Sequence, residues 1–108
     1  MRIYIEDLTF KCIIGILDFE RVKPQKVILN IELDYDYKKE FINYAQVVEL
    51  VKSRMKKKKF LLIEDALKDL GKNIKKKFPQ TNRVNLKITK PSILPDCKVS
   101  VSNTFSFN

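Results

Sequence analysis

The chain has 108 residues and a formal charge of +9, with 22 Lys plus Arg against 13 Asp plus Glu, 44% hydrophobic residues, and neither His nor Trp. That length suits one compact domain over residues 1–108 with little stability to spare. The missing histidine excludes Ser-His and Cys-His nucleophile pairs, His-ligated zinc and an imidazole titrating near neutrality.

From Arg2 to Phe10, Ile3, Ile5 and Leu8 sit among polar residues, with strict alternation broken near Asp7 and an apolar continuation over Lys11–Ile16. This predicts a long first strand, bent around Asp7 and ending at Gly15. Pro24 closes a connection, and 25–37 then alternates. Val27, Leu29, Ile31, Leu33 and Tyr35 share one side, with Ile28, Asn30, Glu32, Asp34 and Asp36 on the other, a half-buried antiparallel strand. The period then changes. Tyr44, Val47, Val48, Val51 and Met55 recur at helical spacing behind Asn43, a good N-cap, which puts Tyr44 on the apolar stripe.

A second helix is expected from near Leu62, with Ile63, Ala66, Leu67, Leu70 and Ile74 as its stripe and Phe78 and Pro79 at its end. Glu64 and Asp65 fall in its first turn, where the helix dipole favours negative charge. Gly71 lies inside it, at a cost of up to ~1 kcal/mol relative to Ala unless close packing requires it. Val84, Leu86 and Ile88 alternate up to Lys90. Val99, Val101, Phe105 and Phe107 form a last strand after a turn bracketed by Pro91 and Pro95. The order ββααββ implies an α+β fold, an antiparallel four-stranded sheet with two helices on one face. Such a sheet leaves two edges unpaired, and joining sheets edge to edge in a symmetric ring would satisfy them. Self-association is expected.

The longest apolar runs, Cys12–Ile14 and Phe60–Ile63, are far short of the ~20 residues of a spanning helix. MRIYIEDL alternates rather than showing a charged then apolar block, so neither a membrane nor a leader is expected and the location is expected to be cytoplasmic. Cys12 and Cys97 lack Cys-x-x-Cys spacing. A disulfide stays open, though reduced cytosolic thiols fit better. Lys56–Lys59, Lys72 and Lys75–Lys77 could form a phosphate-binding patch. They fall at the end of one helix and on the polar face of the next, without interleaved aromatics for base stacking. A solvated surface is the simpler reading, and no nucleic-acid partner is expected.

Four segments remain. They are Ile14-Gly15-Ile16 followed by Glu20-Arg21 and Gln25; Asn43-Tyr44-Ala45; Phe60-Leu61-Leu62-Ile63-Glu64; and Ile88-Thr89-Lys90-Pro91. Together, in order and over essentially the whole chain, they resemble the dihydroneopterin aldolases of the tunnelling fold. The resemblance implies a pterin substrate and a metal-independent retro-aldol cleavage, with neither cofactor nor metal, because the pterin ring is the electron sink. It implies Glu64 as the carboxylate accepting the flat N–H donor pair of the pterin, a bidentate arrangement a carboxylate suits. The backbone of Leu62 and Ile63 would line the ring edge. Lys90 would act at the reacting end, with Glu20 orienting it. Tyr44 would supply a phenol for proton transfer at the cleaved carbon, flanked by the substrate-binding residues Asn43 and Ile42 and donated by a neighbouring subunit. The implied assembly is a tetrameric ring, stacked as an octamer.

Without the resemblance, Glu64 would read as a dipole-complementing acid, Glu20 as a solvated loop acid, Lys90 as a strand-end lysine and Tyr44 as core. One departure from the family pattern is the shortened connection Lys38-Lys39-Glu40-Phe41-Ile42-Asn43, which lacks the expected Thr. The related epimerase acting on dihydroneopterin triphosphate is the nearest alternative. A basic nucleic-acid-binding module is the alternative from another class.

Overall fold

In a computed structural model of the chain, residues 1–38 and 40–107 are described; Lys39, in the shortened connection, and Asn108 lie outside the described residues. The element order is β1 (Arg2–Cys12), α1 (Asp18–Val22), β2 (Gln25–Tyr35), α2 (Tyr44–Lys58), α3 (Ile63–Lys77), β3 (Thr81–Lys90) and β4 (Val99–Ser106). The strands form one antiparallel sheet in the order β1-β2-β3-β4. The fold is therefore α+β as expected, with one correction. Residues 18–22, read as connection, form a short helix. Five residues are too few for an apolar stripe, and Phe19 and Val22 stay exposed, so periodicity has nothing to detect there.

The bend in β1 lies where alternation fails: pairing with β2 shifts between Ile5 and Leu8, and Asp7 adopts φ 55°. The Asp7 amide donates to Asn30 Oδ1 at 2.9 Å, which gives the displaced residue a partner. In β2 the row Val27, Leu29, Ile31, Leu33 and Tyr35 is buried throughout. Each of those aliphatic side chains, fully buried, contributes about 1.5–3 kcal/mol.

Helix α2 lies over β1, and α3 over β3 and β4. Val47, Val51 and Met55 bury one stripe; Ile63, Ala66, Leu67, Leu70 and Ile74 bury the other. Arg54 clamps Asp69 in a two-pronged ion pair at 2.9 and 2.6 Å, tying α2 to α3. Gly71 is required for packing: a Cβ there would stand 2.8 Å from the Phe105 ring of β4. Its propensity cost is accepted because the helix must approach the sheet this closely.

Chain direction decides what collects at each end of the sheet. Cys12 at the end of β1 pairs with Gln25 at the start of β2, and Ile28 pairs with Thr89 near the end of β3. The same end therefore receives α1, Lys90 and the C-terminus of α2. Tyr44, which opens α2, lies at the far end of a helix of 15 residues, about 22 Å long.

Candidate active site

The corner where β1, β2 and β3 meet is built around Glu20. Its carboxylate is buried, at 3% exposure, and so is Lys90 at 8%. Lys90 Nζ donates to Glu20 Oε2 at 2.8 Å, and Gln25 Nε2 donates to the same oxygen at 2.7 Å. Glu20 Oε1 accepts from the Leu17 amide at 3.3 Å, the acid in the first turn of α1 reaching back to the residue before the helix. Gln25 also donates to the Ile14 carbonyl at 2.8 Å, so one amide holds both the loop and the acid.

Gly15 sits under this carboxylate with φ 131°, and a Cβ there would collide with the Glu20 carboxyl group. The Ile-Gly pair thus has a physical cause: only glycine leaves room for the acid and tolerates that backbone angle. Burial pushes the Glu20 carboxyl up. The hydrogen bonds from Lys90, Gln25 and the Leu17 amide outweigh it, and the net pKa lies below the usual carboxylate range. Glu20 is therefore ionised at neutral pH and forms a buried ion pair with the lysine ammonium.

The turn between α2 and α3 arrives beside this corner. The Gly15 amide donates to the Phe60 carbonyl at 3.0 Å. Lys59 takes a left-handed conformation, φ 48° and ψ 57°, and turns the chain into α3. Leu62 precedes α3 without a side-chain cap and is half-exposed, whereas Ile63 is buried in the core. Glu64 is exposed in the first turn. The first amides of a helix lack intrahelical acceptors, so the backbone here offers donors beside a carboxylate acceptor.

What Glu20, Lys90 and Tyr44 would read as without the resemblance does not hold. Glu20 and Lys90 are not solvated, because the glycine loop and α1 close over them. Tyr44 is not core: it is 67% exposed, and the buried stripe of α2 begins one turn later at Val47. Asn43 caps α2 as expected, its Oδ1 accepting from the Ala45 amide at 2.9 Å. Ile42 is buried, leaving only its backbone to face a ligand. Within one chain, Glu20 and Lys90 are in contact and Glu64 shares their end of the sheet. Tyr44, Asn43 and Ile42 lie at the other end.

Cys12 is buried next to the corner, where burial pushes its thiol up to about 11 against the opposing charges of Lys56 and Lys90. Cys97 is exposed, and both thiols are free. Among the described residues no cluster of three acidic or cysteine side chains could hold a metal ion. Among the described residues no helix is long and apolar enough to cross a membrane. Some lysines lean on aromatics, Lys56 at 5.9 Å from the Phe10 ring centroid and Lys75 at 5.5 Å from that of Phe107. Sequence reading missed Arg21 as a bonding group, although it belongs to the Glu20-Arg21 segment. Its guanidinium reaches the carbonyls of Gly15, Lys59 and Phe60.

The family model described as "FolB: Dihydroneopterin aldolase" matches residues 3–104. A dihydroneopterin aldolase from Haemophilus influenzae is 27% identical over 105 residues, covering 90% of this chain and 88% of that protein. The Escherichia coli dihydroneopterin aldolase, solved in complex with neopterin, superimposes with a TM-score of 0.88 at 24% identity, covering 98% of this chain and 99% of the other. The urate oxidase of Bacillus sp. TB-90 shares the fold alone, with a TM-score of 0.80 at 13% identity, over 98% of this chain and 46% of that one. With the family pattern spanning nearly its whole length, the chain belongs to the dihydroneopterin aldolase family, whose members have the tunnelling fold.

Proposed function

We propose that Glu20, Tyr44, Glu64 and Lys90 carry the reaction of this carbon–carbon lyase, the retro-aldol cleavage of dihydroneopterin in folate biosynthesis. The products are 6-hydroxymethyl-7,8-dihydropterin and glycolaldehyde. The observation that carries this reading is the buried Glu20–Lys90 pair, 2.8 Å apart, at the sheet end where Glu64 opens α3.

Glu64 accepts the 2-amino group and adjacent ring N–H of the pterin, while the backbone of Leu62 and Ile63 lines the ring edge. The side chain of the substrate then extends toward Lys90. Its hydroxyl proton leaves to a base assisted by the Lys90 ammonium and an ordered water. The O–H electron pair becomes the new C=O of glycolaldehyde, the carbon–carbon bond breaks, and its electrons pass into the ring protonated at N5. The Tyr44 phenol delivers a proton to the carbon left on the ring, the N5 proton leaves as the C=N bond re-forms, and the proton taken from the hydroxyl restores the phenol, which completes 6-hydroxymethyl-7,8-dihydropterin. Glu20 holds Lys90 aimed through their hydrogen bond. The chain's own groups thus accomplish acid–base work, with no step assigned to a metal or cofactor.

Tyr44 lies about 22 Å along α2 from the Lys90 end, so it meets that corner only from a second subunit. Asn43 and the backbone of Ile42 would come with it. The unpaired edges of β1 and β4 support an edge-to-edge tetrameric ring, stacked as an octamer, with each site shared between neighbours. We assign the chain a single domain and a cytoplasmic location.

The test is incubation with 7,8-dihydroneopterin in the presence of a chelator, following both products. Equal amounts of glycolaldehyde and the hydroxymethyl pterin are expected. Epimer formation without glycolaldehyde would assign the epimerase reaction instead.

A further inference from the structure

We infer that Arg21 is a positioning residue that sets the span between the two halves of the site. This rests on the aldolase reading above and deepens it. Arg21 follows Glu20 directly, so its backbone belongs to the Lys90 half. Its guanidinium reaches elsewhere: Nη2 donates to the Lys59 carbonyl at 2.8 Å, and Nη1 to the carbonyls of Phe60 at 3.1 Å and Gly15 at 3.0 Å. Phe60 lies three residues before Ile63, where α3 and the pterin-anchoring turn begin.

The geometry requires a guanidinium. Three carbonyls on two segments are bridged by two nitrogens of one planar group whose N–H bonds point in fixed directions; an ammonium places all its donors on one nitrogen and lacks that fixed fork. Two of the three oxygens belong to Lys59 and Phe60, the residues that directly follow α2, close to the negative end of that helix, where a cation is favoured. Lys59 holds a left-handed conformation that L residues adopt at a cost, and the carbonyl it presents is the one Arg21 Nη2 takes. The Gly15 amide bonds the same Phe60 carbonyl, so the glycine loop, α1 and the α2–α3 turn form one closed unit. A ligand gripped at the ring by Glu64 and at the side chain by the Lys90 corner gains affinity from both only when their separation matches its own length.

The consequence is specific to ligands that touch both halves. Neopterin carries the three-carbon polyhydroxy chain and spans them; unsubstituted pterin has the ring alone. With the full-length protein, Kd for each is measured by fluorescence titration in the unmodified chain and in Arg21→Met. The expected result is about a tenfold loss for neopterin, in line with the sensitivity of such sites to sub-ångström misplacement, and less than a twofold change for pterin. Added guanidinium at tens of millimolar is expected to recover part of the neopterin affinity. If Arg21→Met does not fold, Arg21→Lys keeps the charge while losing the bridge and is expected to show the same preferential loss. Equal weakening of both ligands, or no change in either, overturns the inference. So do equal affinities for the two ligands in the unmodified protein, since there would then be no span to set. These binding ratios need no turnover: an unmodified protein that binds neither pterin refutes the aldolase reading itself, whereas one that cleaves dihydroneopterin yet shows unchanged ratios in the variant refutes only the role of Arg21.

Discussion

The two ends of α2 present opposite kinds of order. At its C-terminal end, Gln25 and Lys90 are both bonded to Glu20, Arg21 is bonded to the backbone, and the acid and the lysine are buried. At its N-terminal end, Asn43 caps the helix, but Tyr44 stands exposed beside an equally exposed Phe41. One chain finishes the first corner by itself, while at the second Tyr44 and Phe41 stay uncovered. A buried charge must be paired at once, because desolvation without a partner costs several kcal/mol, whereas a phenol or an apolar ring can remain at the surface until a neighbour covers it. This difference supports the shared-site proposal: the half that handles charge is preorganised, and the other half is supplied by assembly.

The largest effects should come from the reacting groups. Lys90→Ala and Tyr44→Phe are each expected to lower kcat by at least about a hundredfold, the usual contribution of a positioned acid–base group, while pterin affinity stays measurable by titration. Mixing the two inactive variants sharpens the comparison, since subunits that share sites would restore part of the activity by pairing an intact Lys90 corner with an intact Tyr44. No recovery after co-refolding would mean that the two groups serve sites within one chain.

Glu64→Ala should act on binding instead. Removing the acceptor of two charge-assisted hydrogen bonds is expected to weaken pterin binding by about a hundredfold or more. A normal Kd in that variant would contradict the anchor assignment.

Glu20 links the finished corner to pH. Its folded pKa is lowered, so its pairing contributes stability that is fully present above the ordinary carboxylate range and is lost as pH falls through the lower folded value. Glu20→Gln should therefore lower Tm at pH 7, and the gap to the unmodified protein should shrink below about pH 4. A gap that stayed constant from neutral to acid pH would mean that the carboxylate charge contributes nothing there.

The thiols give the smallest and simplest contrast. With Cys12 buried and its pKa pushed up to about 11, and Cys97 exposed, a thiol reagent at pH 8 should modify one cysteine quickly and the other only after unfolding. Two fast thiols would show that the Lys90 corner opens readily in solution.

Much of this architecture was legible in the residues. The alternation from Val27 to Tyr35, the stripe from Ile63 to Ile74, the break at Asp7 and the cap at Asn43 are local patterns with one structural solution each, and all appear as read. Short α1 was not legible, because five residues without an apolar face carry no periodicity. Periodicity alone would place Tyr44 in the core because a stripe sets a direction, while the height at which the sheet begins to cover the helix depends on how α2 is laid across β1.

The site divides along the same line. Sequence alone determined which residue types are present at which spacing: an Ile-Gly pair before an acid, a glutamate opening a helix, a lysine before a proline, and no imidazole anywhere. Only the tertiary structure decided that the Glu20 carboxylate lies over Gly15 and takes Lys90 from 70 residues away, and that Arg21 reaches the carbonyls of Lys59 and Phe60. The physical reason is range. Periodicity and capping act within a few residues along the chain, whereas buried charges find partners through the order and direction of strands in the sheet.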